Sequence, residues 1–570
     1  MLDADVGLSA SLSPTEPAGR RLRIGILTRS LELPAWQWTM VGRLIGADYA
    51  ELCVVLLAGG EGASSGRPST PAAARPSPNG LARVLAGVYR FLDSRFTCEP
   101  DALAMKDAEP LLRGVTRLSA DLASSAPELR AQVREQLQSL DLDVLISLDP
   151  EIAHEHTLAC ARYGTWSIYF GAGRRGFGTP PGFWEVYFNS RVIESGIEMI
   201  TQPGNNARII CRTFSGIEEI SVSLTMNNVY WKSLSLVPRK LEALYRTGPQ
   251  KFFERIDQET HPGFDDAAAY GRPGTLHMTS HILRTLKRRA VNMTQRVVMT
   301  RPWILLFHFG DTMATSMRSF HKLIPPRDRY WADPFVIERD GRHYVFFEEY
   351  INATSKAHIC VLAVDGRGHY GTPIKVLDRP YHLSYPFIFE DDGTLYMVPE
   401  SYDNRTVELY RCTQFPLEWE FVENLLEDIC AVDSTLLHYQ GKWWMFANVV
   451  QDRGASAWEE LFLYYSDRLV GGTWTPHPLN PVVSDVRCSR PAGAIFIENG
   501  RLYRPAQDCS VRYGYGIRIR HITRLSEDDY AEVEVAAIEP HWDKSIVATH
   551  TLNHAGRLTV MDALQPRVRL

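Results

Sequence analysis

The chain has 570 residues, of which 45% are hydrophobic and 22% charged, which excludes a disordered polymer and predicts two to four folded domains. A formal net charge of −6 excludes a global basic field for nucleic acid or anionic membranes and leaves only a local basic patch open. Nine scattered cysteines, never spaced Cys-x-x-Cys, disfavour a disulfide scaffold or cysteine-rich zinc site and favour a reducing compartment. With neither a secretory signal pattern nor a bilayer-length apolar run, we expect a cytoplasmic protein without an integral membrane span.

The first half of the chain has the pattern of an α/β fold. Residues 1–20 predict a loose, disordered tail, and residues 59–80 are too polar to order themselves and predict a flexible surface insertion. Between residues 21 and 240, strand-like runs alternate with helical patterns, which indicates an open α/β sheet. The strand-like runs are Arg23–Thr28, Ala50–Ala58, Asp143–Leu148 and Thr165–Phe170, and the helical ones are Leu81–Phe96 and Glu128–Leu140. Residues 241–300 are charged and helical in pattern and predict a connector between domains.

Residues 301–570 contain a repeated unit of an apolar strand, a tight turn ending in glycine, and a second apolar-aromatic strand. The turn glycines are spaced 52, 48, 59 and 56 residues apart and are Gly341, Gly393, Gly441, Gly500 and Gly556. Hairpins repeated at about this period, each within a four-stranded sheet, are typical of a β-propeller, so five repeats predict five blades. The run Trp303–Phe309 is the predicted strand that closes the ring.

The repeat also predicts a binding site at one channel mouth, where the first strand of each hairpin starts and the second ends. Eight residues before the turn glycines lie Asp333, Tyr385, Asp433, Ala492 and Ala548. Seven residues after them lie Glu348, Glu400, Asn448, Gln507 and Ala563, with Glu349 and Asp508 one residue further. The same mouth is expected to receive Arg490, Arg504, His382 and His550. Such a polar lining predicts sugar recognition, and the alternative is that these residues only solvate a wet channel.

The phrase Trp331-Ala-Asp-Pro-Phe335, followed by an Asp-Gly turn, resembles the five-bladed propeller glycosidases of the arabinanase and β-xylosidase type. The resemblance implies a general base at Asp333. Tyr385 stands where that family has a pKa-tuning aspartate, and Asp433 stands where it has a glutamate acid. We therefore take Asp333 and Asp433 as the candidate acid/base pair of an inverting reaction, which needs two carboxyls roughly 6.5–9.5 Å apart.

A second resemblance covers nearly the whole propeller. The phrases WADPF, FFEEY, YHLSYPF, VPES, SRPAG, YRPAQDCS and HTLN are similar to the N-terminal propeller module of plant glucosamine inositolphosphorylceramide glycosyltransferases. The resemblance implies a carbohydrate-active role in glycoconjugate or surface-polysaccharide biosynthesis. The implied partner is a sugar, a sugar nucleotide or a glycolipid, and not nucleic acid.

The first half resembles the formyltransferase fold, in Asp143–Ser147, Arg162–Tyr169, Arg175-Gly, Pro181–Trp184 and Gly204–Ile210. That family polarises the formyl group with an Asn, a His and an Asp, and here Ser167, Tyr169 and Asn205 stand at these positions. Serine and tyrosine do not titrate near neutral pH as histidine does, which disfavours formyl transfer by that mechanism. Without that activity, we expect the fold to persist as a binding or docking domain.

Two further motifs predict no cofactor or metal. The loop 171–176 matches G-x-G-x-x-G, but Phe177-Gly-Thr-Pro-Pro-Gly follows instead of the helix that a dinucleotide site requires. His154 and His156 are two residues apart and cannot share a helix face. Three functions compete: a glycosyl-processing enzyme, a non-catalytic sugar-binding scaffold, and a formyl or acyl transferase acting through the first domain.

Overall fold

The structure is a computed structural model that describes residues 20–58, 80–94, 99–120, 127–150, 152, 160–171, 180–201, 207–258, 271–310 and 317–569. Of these, the residues up to 289, with 452–455, form one compact unit, and the others form a second. The predicted tail and insertion lie outside the described residues, apart from Arg20 and Gly80. The loop 172–179, His154, His156 and Asn205 lie outside them too.

A seven-stranded mixed sheet forms the centre of the first unit, which confirms the predicted α/β character. In spatial order its strands are Thr116–Ala120, Ala50–Ala58, Leu22–Thr28, Val144–Ser147, Thr165–Phe170, Val192–Ile200 and Arg208–Gly216. The first five pair in parallel and the last two pair antiparallel. Central parallel strands are covered on both faces, which explains why Val144–Ser147 is apolar almost throughout and fully buried.

Helices surround this sheet and continue beyond it into the segment predicted as a connector. They are Ala35–Ile45, Gly80–Asp93, Pro127–Ser139, Phe183–Phe188, Val222–Ser233, Leu236–Gln258 and Thr275–Val298. Leu236–Gln258 is interrupted at Gly248, which has a left-handed φ of 76°. The next residue, Pro249, lacks the amide hydrogen that a helix interior needs. A small antiparallel pair joins Glu32–Pro34 to Met105–Asp107.

The second unit is a five-bladed β-propeller of four-stranded antiparallel sheets, as the repeats predict. Blade 1 contains Arg329–Arg339, Arg342–Ile351, Lys356–Val364 and Ile374–Leu377, and blade 2 contains Ser384–Asp391, Thr394–Ser401, Thr406–Gln414 and Glu418–Glu427. Blade 3 contains Ala431–Tyr439, Lys442–Val449, Leu461–Ser466 and Thr475–Pro476, and blade 4 contains Phe496–Glu498, Arg501–Asp508, Gly516–Leu525 and Tyr530–Ile538. Blade 5 contains Leu552–Ala555, Leu558–Leu564, Trp303–Phe309 and His321–Leu323. Outside the blades, Met299–Thr300 pairs with Arg567–Val568, and short 3-10 turns occur at Met317–Ser319, Tyr402–Asn404 and Pro540–Trp542.

Blade 5 closes the ring with strands from both ends of the propeller. Trp303–Phe309 pairs antiparallel with Leu558–Leu564 over seven consecutive residues, which confirms the predicted closing strand. Closure packs the last blade against the first, and the ring as a whole leaves only the short, protected outer edges of its blades. The channel therefore collects side chains from segments more than 200 residues apart, such as Asp333 and Asp562.

The hairpin turns follow the type that the repeat predicts. The turn glycines have φ between 57° and 75°, and in four blades the residue before the glycine is also left-handed. Two consecutive positive φ angles define a type I′ turn, whose twist matches that of the flanking strands. This explains the recurring Asp-Gly, Gln-Gly and Asn-Gly pairs in the sequence.

Candidate functional site

Asp333, Tyr385 and Asp433 occupy the same bulge in blades 1 to 3. In each blade the register between the first two strands shifts at this point. Their φ angles are 51°, 43° and 52°, in the left-handed region that residues other than glycine rarely adopt. Bulges redirect side chains and recur beside functional sites. The spacing from the turn glycines therefore identified three structurally equivalent positions.

Asp333 is buried, and both of its carboxylate oxygens have partners. Oδ1 accepts a hydrogen bond of 2.8 Å from the Thr551 hydroxyl, and Oδ2 accepts one of 3.3 Å from the Tyr385 amide. Nε2 of His550 lies 3.5 Å from Oδ1. These contacts fix the orientation of the carboxyl group.

Asp562 and Trp303 hold His550 beside Asp333. His550 Nδ1 lies 2.5 Å from Asp562 Oδ2, and its ring stacks on Trp303 with a centroid distance of 4.0 Å. Burial raises the pKa of Asp333 to about 6, with Asp433 and Asp562 adding to the rise and His550 opposing it. Burial alone would lower the pKa of His550, but Asp562 and Asp333 raise it overall. The sequence reasoning missed Asp562 because it lies six, not seven, residues after Gly556.

Asp433 is held by a cation and an amide. Arg490 donates from Nε over 2.5 Å and from Nη2 over 3.2 Å, and Gln507 Nε2 donates over 2.8 Å. The Asp433 amide itself donates to Glu400 Oε2 at 3.3 Å, and Arg490 Nη2 lies 3.6 Å from that same oxygen. These contacts hold the Asp433 carboxyl group against the Arg490 guanidinium and orient Arg490.

Glu348 and Glu400 complete a set with Asp333 and Asp433 that we call the carboxylate cluster. Burial, Asp333 and Glu400 raise the pKa of Glu348 well above its usual value. Burial and Asp433 raise the pKa of Glu400, which Arg490 opposes. Four carboxyls next to one arginine cannot all ionise at low cost, so the cluster holds protons at pH values where exposed carboxyls lose them.

The cluster opens to solvent at Glu400 and His382. The Glu400 side chain is 12% exposed and that of His382 is 29% exposed. His382 Nε2 lies 3.4 Å from Glu348 Oε1, and the Tyr330 hydroxyl donates to the same oxygen at 3.4 Å. An approaching ligand would meet these groups before the buried aspartates.

Tyr385 crosses the channel instead of tuning a carboxyl. Its fully buried hydroxyl lies 2.8 Å from Thr435 Oγ1 and accepts a hydrogen bond of 2.8 Å from the Gly493 amide. Asn553 makes a second link between first strands, accepting from the Ala494 amide and donating to the Pro334 carbonyl. These links join blades 1 to 5 around the channel.

The structure does not bring Glu349, Asp508 or Arg504 to the carboxylate cluster. Successive residues of a strand point to opposite faces, so Glu349 and Asp508 face away from their neighbours Glu348 and Gln507. Glu349 contacts Trp331, His358 and Arg329 at 2.9, 3.1 and 3.3 Å. Asp508 pairs with Arg518 at 2.5 Å, and Arg504 pairs with Glu532 at 2.7 Å.

Two groups among the described residues have the ligand types for a cation. Ligand atoms of Asp333, His550 and Asp562 lie within 4.8 Å of one another, as do those of Glu349, His358 and Cys360. In the second group, burial raises the pKa of the Cys360 thiol, and Arg329 already contacts Glu349. The first group therefore has the better donors, although the raised pKa of His550 favours the protonated ring, which competes with a metal.

Two of the three positions that the formyltransferase resemblance assigned to catalysis, Ser167 and Tyr169, are buried in the first unit. Ser167 and Tyr169 lie within the sheet, and the Tyr169 hydroxyl donates to Glu194 Oε1 at 2.6 Å. The third position, Asn205, lies outside the described residues. The formyltransferase identity of this unit stays a prediction.

Among the described residues, no helix combines the length and the apolar character needed to cross a bilayer. Solved structures that are similar to part of this chain include a family 117 glycoside hydrolase from Zobellia galactanivorans, 12% identical over 46% of this chain and 90% of that one, with a TM-score of 0.31. An alpha-L-arabinofuranosidase from Clostridium thermocellum is 15% identical over 37% of this chain and 74% of that one, with a TM-score of 0.27. At such values these likenesses carry no argument about function.

Residues 321–560 match the family model described as glucosamine inositolphosphorylceramide transferase 1, N-terminal. The transferase 1 of that name from Oryza sativa subsp. japonica is 37% identical over 207 residues, 36% of this chain and 28% of the relative. The one from Arabidopsis thaliana is 36% identical over 209 residues, 36% of this chain and 27% of the relative. The chain thus spans less than a third of the length of these curated relatives. The propeller of this chain is therefore similar in sequence to the N-terminal modules of glucosamine inositolphosphorylceramide transferase 1.

Proposed function

We propose that the propeller recognises the sugar part of a sugar, sugar nucleotide or glycolipid at the carboxylate cluster, and that the chain acts in glycoconjugate or surface-polysaccharide biosynthesis. The observation that carries this proposal is the excess of buried carboxyls, with raised pKa values at Asp333, Glu348 and Glu400. Sugar hydroxyls both donate and accept hydrogen bonds. Protonated carboxyls can donate a hydrogen bond and ionised ones can only accept, so a mixture of the two can pair with sugar hydroxyls in both directions, which a purely anionic site cannot do.

Aromatic rings next to the cluster support a sugar ligand. Tyr330 stacks on Tyr350 with ring centroids 4.5 Å apart, and the same Tyr330 contacts Glu348. The Arg490 guanidinium lies 5.0 Å from the centre of the Tyr513 ring. Amphipathic rings of this kind combine an apolar face with a polar edge. They suit the apolar C–H face and the polar rim of a pyranose.

The proposed chemistry gives different roles to the two aspartates. With a pKa of about 6, Asp333 can exchange a proton near neutral pH, as a general acid or base must. Asp433 accepts three hydrogen bonds from Arg490 and Gln507, which suits a residue that positions Arg490. In a glycosyl transfer or hydrolysis, Asp333 would move the proton, and Asp433 would hold Arg490 in place as the second member of the pair.

Free thiols support a reducing location. None of the eight cysteines among the described residues forms a disulfide, and five of them are buried. Disulfides form in oxidising compartments, and unpaired thiols are typical of reducing ones. We therefore propose the cytoplasm as the location.

The test is a calorimetric binding screen of the full chain against free sugars, nucleotide sugars and inositol-phosphate glycolipid head groups. Glu400→Gln is expected to weaken binding of the selected ligand about tenfold, because an amide has a fixed donor and a fixed acceptor and cannot reproduce the hydrogen bonds of a carboxyl group that exchanges its proton. The matched control is Glu418→Gln, an exposed position on the outer strand of the same blade. Equal affinity of the Glu400→Gln variant, or no ligand at all, would contradict the proposal.

Asp333→Asn separates an enzyme from a binding scaffold. If the propeller is catalytic, turnover is lost while the selected ligand still binds. If it is a scaffold, only affinity changes. Thermal unfolding of the variant shows whether the fold is intact.

A further inference from the structure

The helix Thr275–Val298 presents an unpartnered apolar stripe. Its buried residues are limited to Met278, His281 and Thr285. On another face, large apolar residues recur at intervals of three, four or seven, which place them on one side of a helix. They are 50% to 84% exposed and consist of Leu276, Leu283, Leu286, Met293 and Val297.

The helix Gly80–Asp93 presents a second stripe with the same spacing. Its buried residues are Ala82, Tyr89 and Asp93. Its exposed apolar residues follow the i, i+3, i+7, i+10 pattern and are Leu81, Val84, Val88 and Phe91. Monomeric proteins rarely leave such patterned apolar faces in water, and amphipathic faces of this kind mark interaction surfaces.

The part of Thr275–Val298 up to Arg289 packs against Gly80–Asp93 within the first unit. The Tyr89 and His281 rings lie 4.6 Å apart, and Arg289 Nη2 lies 3.4 Å from Asp93 Oδ1. Tyr89 and Met278 belong to one apolar cluster. The stripes therefore belong to adjacent helices, which we call the amphipathic helix pair.

The charge of the helix pair identifies its partner. Thr275–Val298 contains no acidic residue, and its basic residues are Arg284, Lys287, Arg288, Arg289 and Arg296. Gly80–Asp93 adds Arg83 and Arg90, and its one acid, Asp93, is buried. Among the described residues, neither Lys287 nor Arg83 forms an ion pair. This basic surface lies in a chain whose net charge is −6.

A second copy of the chain is a poor partner for this surface. Arg288 and Arg289 already contact Glu219 and Asp93 within the chain. Pairing the stripe of Thr275–Val298 with itself would still bring the other cations of the two copies together, namely Arg284, Lys287 and Arg296, without any acid on that helix to balance them. An anionic lipid surface neutralises those cations and takes up the exposed apolar side chains. We propose that the amphipathic helix pair binds the surface of an anionic membrane, lying in its interface without spanning it. This inference is independent of the channel proposal, since it uses no residue of the propeller cluster.

The test is sedimentation of the full chain with phosphatidylcholine vesicles and with mixed phosphatidylcholine–phosphatidylserine vesicles. We expect binding to the mixed vesicles only, weakened by salt because it rests partly on charge. The double variant Leu283→Ser, Leu286→Ser is expected to weaken it at least about tenfold, since both side chains would leave the lipid. Lys287→Glu is expected to weaken it severalfold.

The matched control is Val533→Ser, Val535→Ser, two valines that are 50% and 51% exposed on the outer strand of blade 4. This control is expected to bind as the parent chain does. Absence of binding to mixed vesicles, or equal loss in both double variants, would overturn the inference. So would a dimer in size-exclusion chromatography that dissociates in the Leu283→Ser, Leu286→Ser variant, because the stripe would then pair two copies.

Discussion

The carboxylate cluster and the ion-pair network of blade 4 bury acids in the same propeller with opposite electrostatic results. In blade 4, Glu532 receives hydrogen bonds from Arg504 at 2.7 Å and from Arg520 at 3.0 Å. Burial alone would raise the pKa of Glu532, but the two arginines lower it overall. This acid is ionised and balanced by more than one cation.

The carboxylate cluster has the reverse balance. Arg490 pairs with Asp433, and burial together with the neighbouring acids raises the pKa of Glu348 and Glu400. Equal burial therefore gives opposite titration, because the number of nearby cations differs. A balanced network loses stability when one of its charges is removed, because the partner is left buried and uncompensated, whereas an unbalanced one gains stability when a ligand donates hydrogen bonds or brings positive charge.

The largest expected effect comes from breaking the balanced network. Arg504→Met leaves Glu532 buried with Arg520 alone and is expected to lower the free energy of unfolding by about 3 kcal/mol. Urea unfolding measures this loss. Arg524→Met, which removes an exposed pair with Asp529, is the control and should cost less than about 0.5 kcal/mol. A loss below about 1 kcal/mol for Arg504→Met would mean that the network is not a stabilising one.

Glu349→Gln tests whether Glu349, like Glu532, is a buried acid that its neighbours keep ionised. Burial would raise its pKa, but His358, Trp331 and Arg329 lower the pKa of Glu349 to about 2. Because the folded pKa is depressed, the stability it contributes is present above pH 4.5 and is lost as the pH falls towards 2. The variant should therefore lose about 2 kcal/mol at neutral pH and far less in strong acid. Chemical unfolding across this range measures the difference, and a loss that does not change with pH would contradict it.

Asp333→Asn tests an acid of the carboxylate cluster, whose contribution to stability depends on pH in the opposite direction to that of Glu349. The folded pKa is raised from 3.8 to about 6, so the folded state holds a proton that the unfolded state releases. Its contribution is fully present below the unfolded pKa and is lost as the pH rises through about 6. The parent chain should lose on the order of 1 to 2 kcal/mol across this window, and the variant should lose less. Parallel stability profiles of the two chains would show that Asp333 is ionised throughout.

The smallest effect is expected from Tyr385→Phe, which changes a neutral contact between blades. The variant leaves the Gly493 amide and the Thr435 hydroxyl without the phenol oxygen, at a cost of about 1 kcal/mol. A thermal shift of a few degrees is expected, with unchanged affinity for any sugar ligand. A loss of ligand affinity without a loss of stability would make Tyr385 part of the binding surface.

The fold was more predictable than the cluster. Five turn glycines at near-regular spacing predicted five hairpins. A type I′ turn needs residues with positive φ, and Asp-Gly or Asn-Gly pairs, which adopt such angles readily, are therefore a strong signal for it. Counting from those glycines also found Asp333 and Asp433. It did not find Asp562, which pairs with His550 because the hairpin of blade 5 brings it there. The same count assigned both Glu348 and Glu349 to the channel mouth, although the two side chains contact different partners.

The sequence by itself determined the repeat, the turns, the closing strand and the residue types available to the channel, since these depend on local backbone preference and periodicity. Only the tertiary structure decided which acids share a partner and which are balanced by arginine. Side-chain direction changes with each residue of a strand and again at every bulge, and electrostatic balance depends on distances between blades. Asp333 and Asp562, which are 229 residues apart, illustrate this: their contact exists because the ring closes.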